Sequence, residues 1–275
     1  MLKTLTLTTA LVMGATAAFA SDIAIGVGQP DRGYEAFGKA MANSLSKAHN
    51  VTVVNYEGSD DISKAVCDGD VQVGIMQIDA IHARAKEGCT MRTIGNYGQE
   101  FAYLMVPPNS DIGDLHDLDG SSKILVDTEG SGTFLFWETI VGIENGPDGN
   151  KSTWSEAVPV ADFSFLASTL AASSEIDAAL FVTTTGSPEL KELLAEGWEL
   201  AKMSDKDIND QLHNGEVLYP RETAEIEGTG GWFSGDESAK SYVVRSFVTL
   251  SRDTSLDRRA FQDIARAAKR AEAAK

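Results

Sequence analysis

Residues 23–45 read IAIGVGQPDRGYEAFGKAMANSL, and this stretch decides the class of fold. Ile23 to Val27 is a short apolar run with β-branched residues, which is typical of a buried strand. Gly28 to Gly33 holds the glycines and the proline of a turn. The apolar residues after the turn recur at helical spacing, and they are Tyr34, Phe37, Met41 and Leu45. The stretch therefore predicts a strand, a turn and a helix in that order.

The same order recurs along the chain. The predicted elements are strands over 51–56 and 71–76 with a helix over 62–67 between them, then strands over 123–127 and 176–182 with a helix over 134–143 between them. Strands that alternate with helices indicate an α/β fold with a largely parallel sheet. Pro107 and Pro108 separate the two series. Because the chain is long for a single core, we predict two α/β lobes.

The amino terminus has the features of a secretory signal peptide. Lys3 precedes an apolar stretch over 5–19. The end of this stretch forms the A-x-A pattern Ala18-Phe19-Ala20, which comes directly before Ser21. This arrangement predicts cleavage after Ala20 and export to the periplasm. Residues 1–20 are therefore assigned to the signal peptide and the mature chain to the residues after it.

The net charge limits the possible partners. The formal net charge of the 275 residues is −18, which disfavours binding to nucleic acid and to anionic lipid.

Cys67 and Cys89 are the two cysteines, and in an oxidising compartment they predict one disulfide. A loop of that length is worth about 3 kcal/mol in the chain-entropy model.

Motifs that would indicate an enzyme or a cofactor are missing from the sequence. The turn Gly130-Ser131-Gly132-Thr133 lacks the lysine of a phosphate-binding loop, and no G-x-S-x-G nucleophile motif occurs. The four histidines have no metal-ligand spacing, and the acidic run over 111–119 lacks the spacing of a calcium loop. We therefore expect no catalytic residues, no cofactor and no metal.

Three glycine-containing turns each follow a predicted strand and begin a predicted helix. They lie at 28–33, 58–59 and 130–133. In open α/β sheets, ligands bind at the carboxyl ends of strands, where helix N-termini present N–H groups. The candidate ligand-binding residues are Gln29, Arg32, Tyr34, Ser59, Gln77, Asp79, Ser131, Gly132, Thr133, Thr183 and Thr184. Their donors suit a small polar or anionic solute.

These turns also resemble a known family. The matching blocks are Ile25 to Gly28 with Gly33-Tyr34, Gly58-Ser59, Gly69 to Asp79, Asp114-Leu115 to Gly120, the GSGT turn at 130–133, and Ile176 to Val182. Together they resemble the solute-binding subunits of the TAXI type, which serve TRAP transporters. The chain departs from the family at Pro30-Asp31-Arg32, where those subunits have a small glycine-rich segment, so its ligand specificity is expected to be unusual.

The resemblance implies a type II periplasmic-binding-protein fold, with two Rossmann-like lobes that close about a hinge. We expect lobe I to comprise 21–104 and 205–275, and lobe II to comprise 105–204. The implied ligand is a small molecule such as an organic acid or an amino acid, and Arg32 is the candidate for a bidentate contact with its carboxylate. The expected protein is a monomer that delivers the ligand to membrane permease subunits.

Two other interpretations share this fold. Anion-binding proteins of ABC transporters have a similar GSGT-like turn, and a periplasmic sensor that docks on a signalling receptor would use the same closing lobes. An exported enzyme is disfavoured, because no nucleophile, metal set or acid–base pair stands out in the sequence.

Overall fold

A computed structural model of the chain describes residues 20–228 and 236–274. The predicted signal peptide, apart from Ala20, lies outside the described residues. The described strands are β1 (Asp22–Val27), β2 (Asn50–Asn55), β3 (Val73–Gln77), β4 (Met91–Val106), β5 (Lys123–Leu125), β6 (Val158–Val160), β7 (Ala178–Thr183), β8 (Glu199–Ala201), β9 (Leu212–His213), β10 (Glu216–Val217), β11 (Arg221–Ile226) and β12 (Glu237–Ser251). The described helices are α1 (Gly33–Leu45), α2 (Ser59–Asp68), α3 (Ile78–Lys86), α4 (Gly132–Glu144), α5 (Ala167–Ala172), α6 (Pro188–Ala195), α7 (Lys206–Asp210) and α8 (Arg258–Glu272).

The first α/β series folds as the sequence predicts. β1 pairs in parallel with β2 on one side and with β3 on the other. The apolar face of α1 packs on this sheet together with α8, and Phe37, Met41 and Leu45 share one buried core with β1. The opening stretch therefore forms a strand, a turn and a helix because its period-2 and helical patterns place their apolar residues on the same layer.

The second series forms a comparable unit. β5 pairs in parallel with both β6 and β7, and α4 and α6 flank the sheet. The prediction of an α/β fold in two lobes is thus confirmed, but the sheet is mixed rather than largely parallel. β4 and β12 are antiparallel to each other and to their other neighbours, as the strand order β2-β1-β3-β12-β4-β7-β5-β6 shows.

Two long strands connect the lobes. β4 has 16 residues and β12 has 15, so each is about 50 Å long at the usual rise per residue. The second part of β12 pairs with β3 in lobe I, whereas its first part pairs with β11. β11 contributes Ala224 and Ile226 to the core that contains Phe181 of lobe II. The lobe boundaries stay a proposal, and this packing moves the proposed return to lobe I from residue 205 into β12.

The predicted disulfide is confirmed. Cys67 in the last turn of α2 is bonded to Cys89, which precedes β4, across a sequence separation of 22. The bond fixes the end of α2 to the start of a strand that runs through both lobes. None of the described helices has the length and hydropathy that crossing a bilayer requires.

A candidate ligand-binding cleft

A cleft of about 150 Å³ lies where the carboxyl ends of the parallel strands of both lobes meet. An engineered cavity of that size holds a molecule as small as benzene, so the cleft suits a ligand of modest size. The structure brings ten of the eleven predicted site residues to its walls, and they are Gln29, Arg32, Tyr34, Ser59, Gln77, Ser131, Gly132, Thr133, Thr183 and Thr184. That they bind a ligand stays a prediction.

The buried hydroxyl groups of the cleft have structural partners. Ser131 is the N-cap of α4, and its Oγ accepts a hydrogen bond from the backbone N–H of Phe134 at 3.0 Å. Thr133 Oγ1 accepts from the N–H of Val182 at 3.0 Å. Because each of these oxygens already accepts a bond from the backbone, the hydroxyls support the fold and offer a ligand their O–H protons.

Tyr34 connects the β1–α1 turn to the floor of the cleft. Its hydroxyl donates to Glu100 Oε2 at 2.6 Å and lies 2.9 Å from Ser246 Oγ. Ser246 also donates to the same carboxylate oxygen. Burial, together with the negative charge of Glu100, raises the pKa of Tyr34 well above its usual value. Tyr34 and Glu100 therefore present a neutral phenol beside a carboxylate at the wall of the cleft, and Ser246 of β12 binds that carboxylate.

Two polar contacts bridge the lobes beside the cleft. Glu57 of lobe I accepts hydrogen bonds from Gln29 at 2.8 Å and from Thr128 of lobe II at 3.2 Å. Arg32 forms an ion pair with Glu189 of α6 at 3.3 Å. The charge of Arg32 is thus compensated by a protein carboxylate. Its predicted contact with a ligand carboxylate stays untested, and the ion pair gives it a role in holding the lobes together.

The backbones of the two lobes come close together at Gly58. A Cβ at this position would lie 2.7 Å from Ser131 Cα and 2.9 Å from Gly132 N, both backbone atoms of lobe II. The φ of Gly58 is 173°, which is extended backbone that any residue adopts. The glycine is therefore required by the approach of the other lobe, and the structure is in a closed conformation.

Gln77 offers the cleft an unused acceptor. Its side chain is 3% exposed and lines the cleft, and its backbone N–H donates to Ser59 Oγ at 3.1 Å. Its Oε1 has no hydrogen-bond partner among the described residues. A buried acceptor without a partner is costly, so a ligand N–H or O–H group placed here would stabilise the closed form.

Asp79 is the one predicted site residue that does not line the cleft. It occupies the first turn of α3, fully buried, and accepts hydrogen bonds from Tyr219 at 3.0 Å and from the N–H of Ala80 at 2.9 Å. Gln77 and Asp79 are two residues apart, but the strand ends at Gln77, so the helical rotation that follows turns Asp79 away from the cleft. Burial raises the pKa of the Asp79 carboxyl to about 7.

Sequence reasoning missed three carboxylates that line the cleft, namely Glu57, Glu100 and Asp127. Glu57 directly precedes Gly58, and Asp127 lies three residues before Gly130, so the rule that selected the turns could have found them. Asp127 has a φ of 64°, an uncommon conformation for a residue other than glycine, and burial raises the pKa of its carboxyl. Glu100 lies in the middle of β4 and gave no local signal.

Solved structures with the same architecture show which fold the chain has. XAC2383 from Xanthomonas citri, bound to ATP, superposes with a TM-score of 0.56 at 11% identity over 90% of this chain and 82% of that chain. The alkanesulfonate-binding protein SsuA from Xanthomonas axonopodis pv. citri, bound to MOPS, gives 0.54 at 15% identity over 93% and 74%. The periplasmic aliphatic sulphonate binding protein SsuA from Escherichia coli gives 0.51 at 16% identity over 93% and 74%. The fold is thus the two-lobed fold of periplasmic solute-binding proteins.

The chain belongs to the NMT1-like family, whose model matches residues 32–221. No curated protein matches the sequence. Family and fold are those of a binding protein and not of an enzyme, in agreement with the sequence-based prediction. They place the chain among the solute-binding proteins in general, and the narrower likeness to a TAXI-type subunit remains an interpretation of its motifs.

Proposed function

We propose that this protein is a periplasmic receptor that closes its two lobes over a small polar solute and delivers that solute to a membrane transporter. The observation that carries the proposal is the closed cleft itself, with Gln77 Oε1 buried at its wall and without a hydrogen-bond partner among the described residues. Backbone contact between Gly58 and the GSGT turn supports closure as the binding motion.

The groups around the cleft favour a solute with hydrogen-bond donors or a positive charge. Among the described residues, three carboxylates and one arginine line the cleft, and that arginine, Arg32, is already paired with Glu189. A simple organic anion would therefore meet an excess of negative charge. Within the solutes expected from the sequence, this balance favours amino acids and other amines over organic acids without an amino group.

Two observations bear on the kind of transporter that receives the solute. The order of motifs resembles TAXI-type subunits of TRAP transporters, whereas SsuA, with which the chain shares its fold, is named as a sulphonate-binding protein. At 10–16% identity the bound molecules of such neighbours do not transfer to this cleft. We propose delivery to a multi-span permease, of either the ABC or the TRAP kind. Uptake of the identified solute in cells, tested for dependence on ATP or on an ion gradient, distinguishes the two.

A ligand screen tests the proposal. Mature protein is melted in the presence of amino acids, simple amines, organic acids and inorganic anions. A ligand at a hundredfold excess over its Kd stabilises the folded state by about 2.7 kcal/mol. We expect amine-bearing solutes to raise the melting temperature and to decrease the radius of gyration in solution scattering. Stabilisation by inorganic anions alone would contradict the proposed ligand class, and no stabilisation by any solute would contradict the function.

A further inference from the structure

A second group of carboxylates lies at the far end of α4 from the cleft. Glu144 is the last residue of α4, Asp205 is the N-cap of α7, and Asp207 lies in the first turn of α7. One oxygen from each carboxylate lies within 4.8 Å of the other two. α4 has 13 residues and is therefore about 20 Å long, so this group is separate from the cleft.

Two of the three carboxylates are buried. Glu144 is 0% exposed and Asp205 is 4% exposed. Glu144 Oε1 accepts a hydrogen bond from the N–H of Ser152 at 2.6 Å, while its Oε2 is buried without a partner among the described residues. The backbone thus binds one oxygen of this carboxylate and leaves the other buried without a partner, in a group where one oxygen of each carboxylate lies within 4.8 Å of the others.

Asp205 is held in a similar way. Its Oδ1 accepts from the N–H groups of Asp207 at 2.7 Å and Ile208 at 3.3 Å, as a helix cap does. Its Oδ2 receives a long bond of 3.4 Å from Trp154 Nε1, and His116 Nε2 lies 3.5 Å from it. Neither contact supplies a fixed positive charge, because tryptophan is neutral and histidine is charged only when protonated.

Among the described residues, no lysine or arginine is paired closely with this group, although Lys206 acts on Asp207 and Asp205 at longer range. Lys206 forms its ion pair with Asp210 instead. Glu144 also stands at the C-terminal end of a helix, where the macrodipole disfavours a negative charge. Buried carboxylates without a counter-charge are strongly unfavourable, so the arrangement calls for a cation.

We propose that Glu144, Asp205 and Asp207 bind a calcium ion. The ligand set is made of oxygens alone, which hard cations prefer, and oxygens bound at 2.3–2.6 Å from one calcium ion lie up to about 5 Å apart. Calcium accepts irregular geometry, and water or loop carbonyl groups can complete its coordination. Asp207 is only partly buried, which gives the ion a path from solvent.

The ion would fix the loop over 145–152 to α7. Two backbone N–H groups of this loop already donate to the cluster, from Asn150 to Asp207 Oδ2 at 2.7 Å and from Ser152 to Glu144. A cation that holds the carboxylates in place also holds these donors. The site is therefore structural, and it replaces the sequence-based expectation that the chain binds no metal.

Calcium titration of the mature protein after removal of metals with EDTA tests the proposal. We expect one calcium per chain in calorimetry, a rise in melting temperature that saturates with calcium, and terbium luminescence excited through the adjacent Trp154. Glu144→Gln and Asp207→Asn should each weaken calcium binding at least tenfold. Asp210→Asn is the matched control, because Asp210 lies on the same helix but is exposed and paired with Lys206, and it should bind like wild type.

The outcomes are distinct. Absence of calcium binding, or equal binding by wild type and Asp207→Asn, overturns the proposal. A shared proton between Glu144 and Asp205 is the rival explanation, and it predicts a wild type insensitive to calcium with a Glu144→Gln variant of higher stability. If Glu144→Gln fails to fold, Asp207→Asn carries the test, since its partly exposed side chain is more easily replaced. Tighter binding of magnesium than of calcium would overturn the choice of ion.

Discussion

At the scale of single residues, the hydroxyl of Thr133 shows how a cleft residue can serve the fold first. Its Oγ1 accepts from the buried N–H of Val182. Thr133→Val keeps the shape of the side chain but leaves that N–H without an acceptor, so we expect the free energy of unfolding to fall by about 1–3 kcal/mol. Urea denaturation without ligand measures this.

Thr52→Val is the matched control for this change. Thr52 is an exposed residue of β2, so its replacement should alter stability by less than about 0.5 kcal/mol. Unchanged stability of Thr133→Val together with lost ligand binding would show that the hydroxyl serves the ligand alone.

Asp79 gives a prediction about pH. Its pKa is raised to about 7 in the folded protein by burial, against about 3.9 in an unfolded chain. Between these values the folded state keeps a proton that the unfolded state has lost, so this group makes stability decrease as pH rises from about 4 to about 7, by at most ~1.4 kcal/mol per pH unit. Above about pH 7 the loss of stability that this group causes stays constant.

Asp79→Asn should remove this contribution and make the protein more stable than wild type at pH 8, with little difference at pH 4. The asparagine oxygen can accept either from Tyr219 or from the N–H of Ala80, whereas the carboxyl accepts from both. Chemical denaturation across the pH range measures the effect, and exposed Asp68→Asn controls for the loss of one carboxylate. A wild-type pH profile in Asp79→Asn would mean that Asp79 stays ionised in the fold.

At the scale of elements, the strand–turn–helix units were predictable because their signals are local. The apolar period and the glycine turn of residues 23–45 specify β1 and α1 without reference to the rest of the chain. β4 and β12 were not predictable as lobe-spanning strands, because their pairing joins residues far apart in sequence, such as Val243 with Phe101. The same limit explains why the sequence did not identify Glu100, which reaches the cleft only through that pairing.

The direction in which a side chain leaves its strand or helix was a further feature that the sequence did not predict. The carboxyl end of β3 lies at the cleft, and Gln77 lines it. Whether Gln77 or Asp79 faces the ligand depends on where the strand ends and the helix begins, and a shift of one residue changes the answer. The turns were therefore located from the sequence, whereas the directions of the side chains that leave them came from packing.

The disulfide leads to a prediction about stability, because it holds the C-terminal turn of α2 in place. Cys67 lies in the last turn of α2, whose N-terminal Ser59 lines the cleft. Removal of the bond in Cys67→Ser/Cys89→Ser should lower the free energy of unfolding by roughly 3 kcal/mol, because the unfolded chain gains the freedom of the opened loop. Denaturation of the oxidised wild type and the double variant measures the difference. Equal stability of the two would mean that the bond restricts neither state.

At the scale of the whole molecule, closure depends on the approach of two backbones. Lobe I presents Gly58 to the GSGT turn of lobe II, and the Cβ of an alanine there would overlap Ser131 and Gly132. Main-chain atoms at this distance move aside only if the lobes separate. The φ of Gly58 is extended, so alanine fits the open protein without strain.

Gly58→Ala should therefore fold normally and fail to close. We expect the melting temperature without ligand to stay near that of wild type, the affinity for the solute found in the screen to fall at least tenfold, or by 1.4 kcal/mol, and solution scattering to show no compaction when that solute is added. Gly28→Ala is the matched control, because it lies in the same cleft but its Cβ would come no closer than 3.7 Å to Tyr34. Normal compaction and affinity in Gly58→Ala would show that the solute binds without the lobe contact seen here, and the closing mechanism would then have to be abandoned.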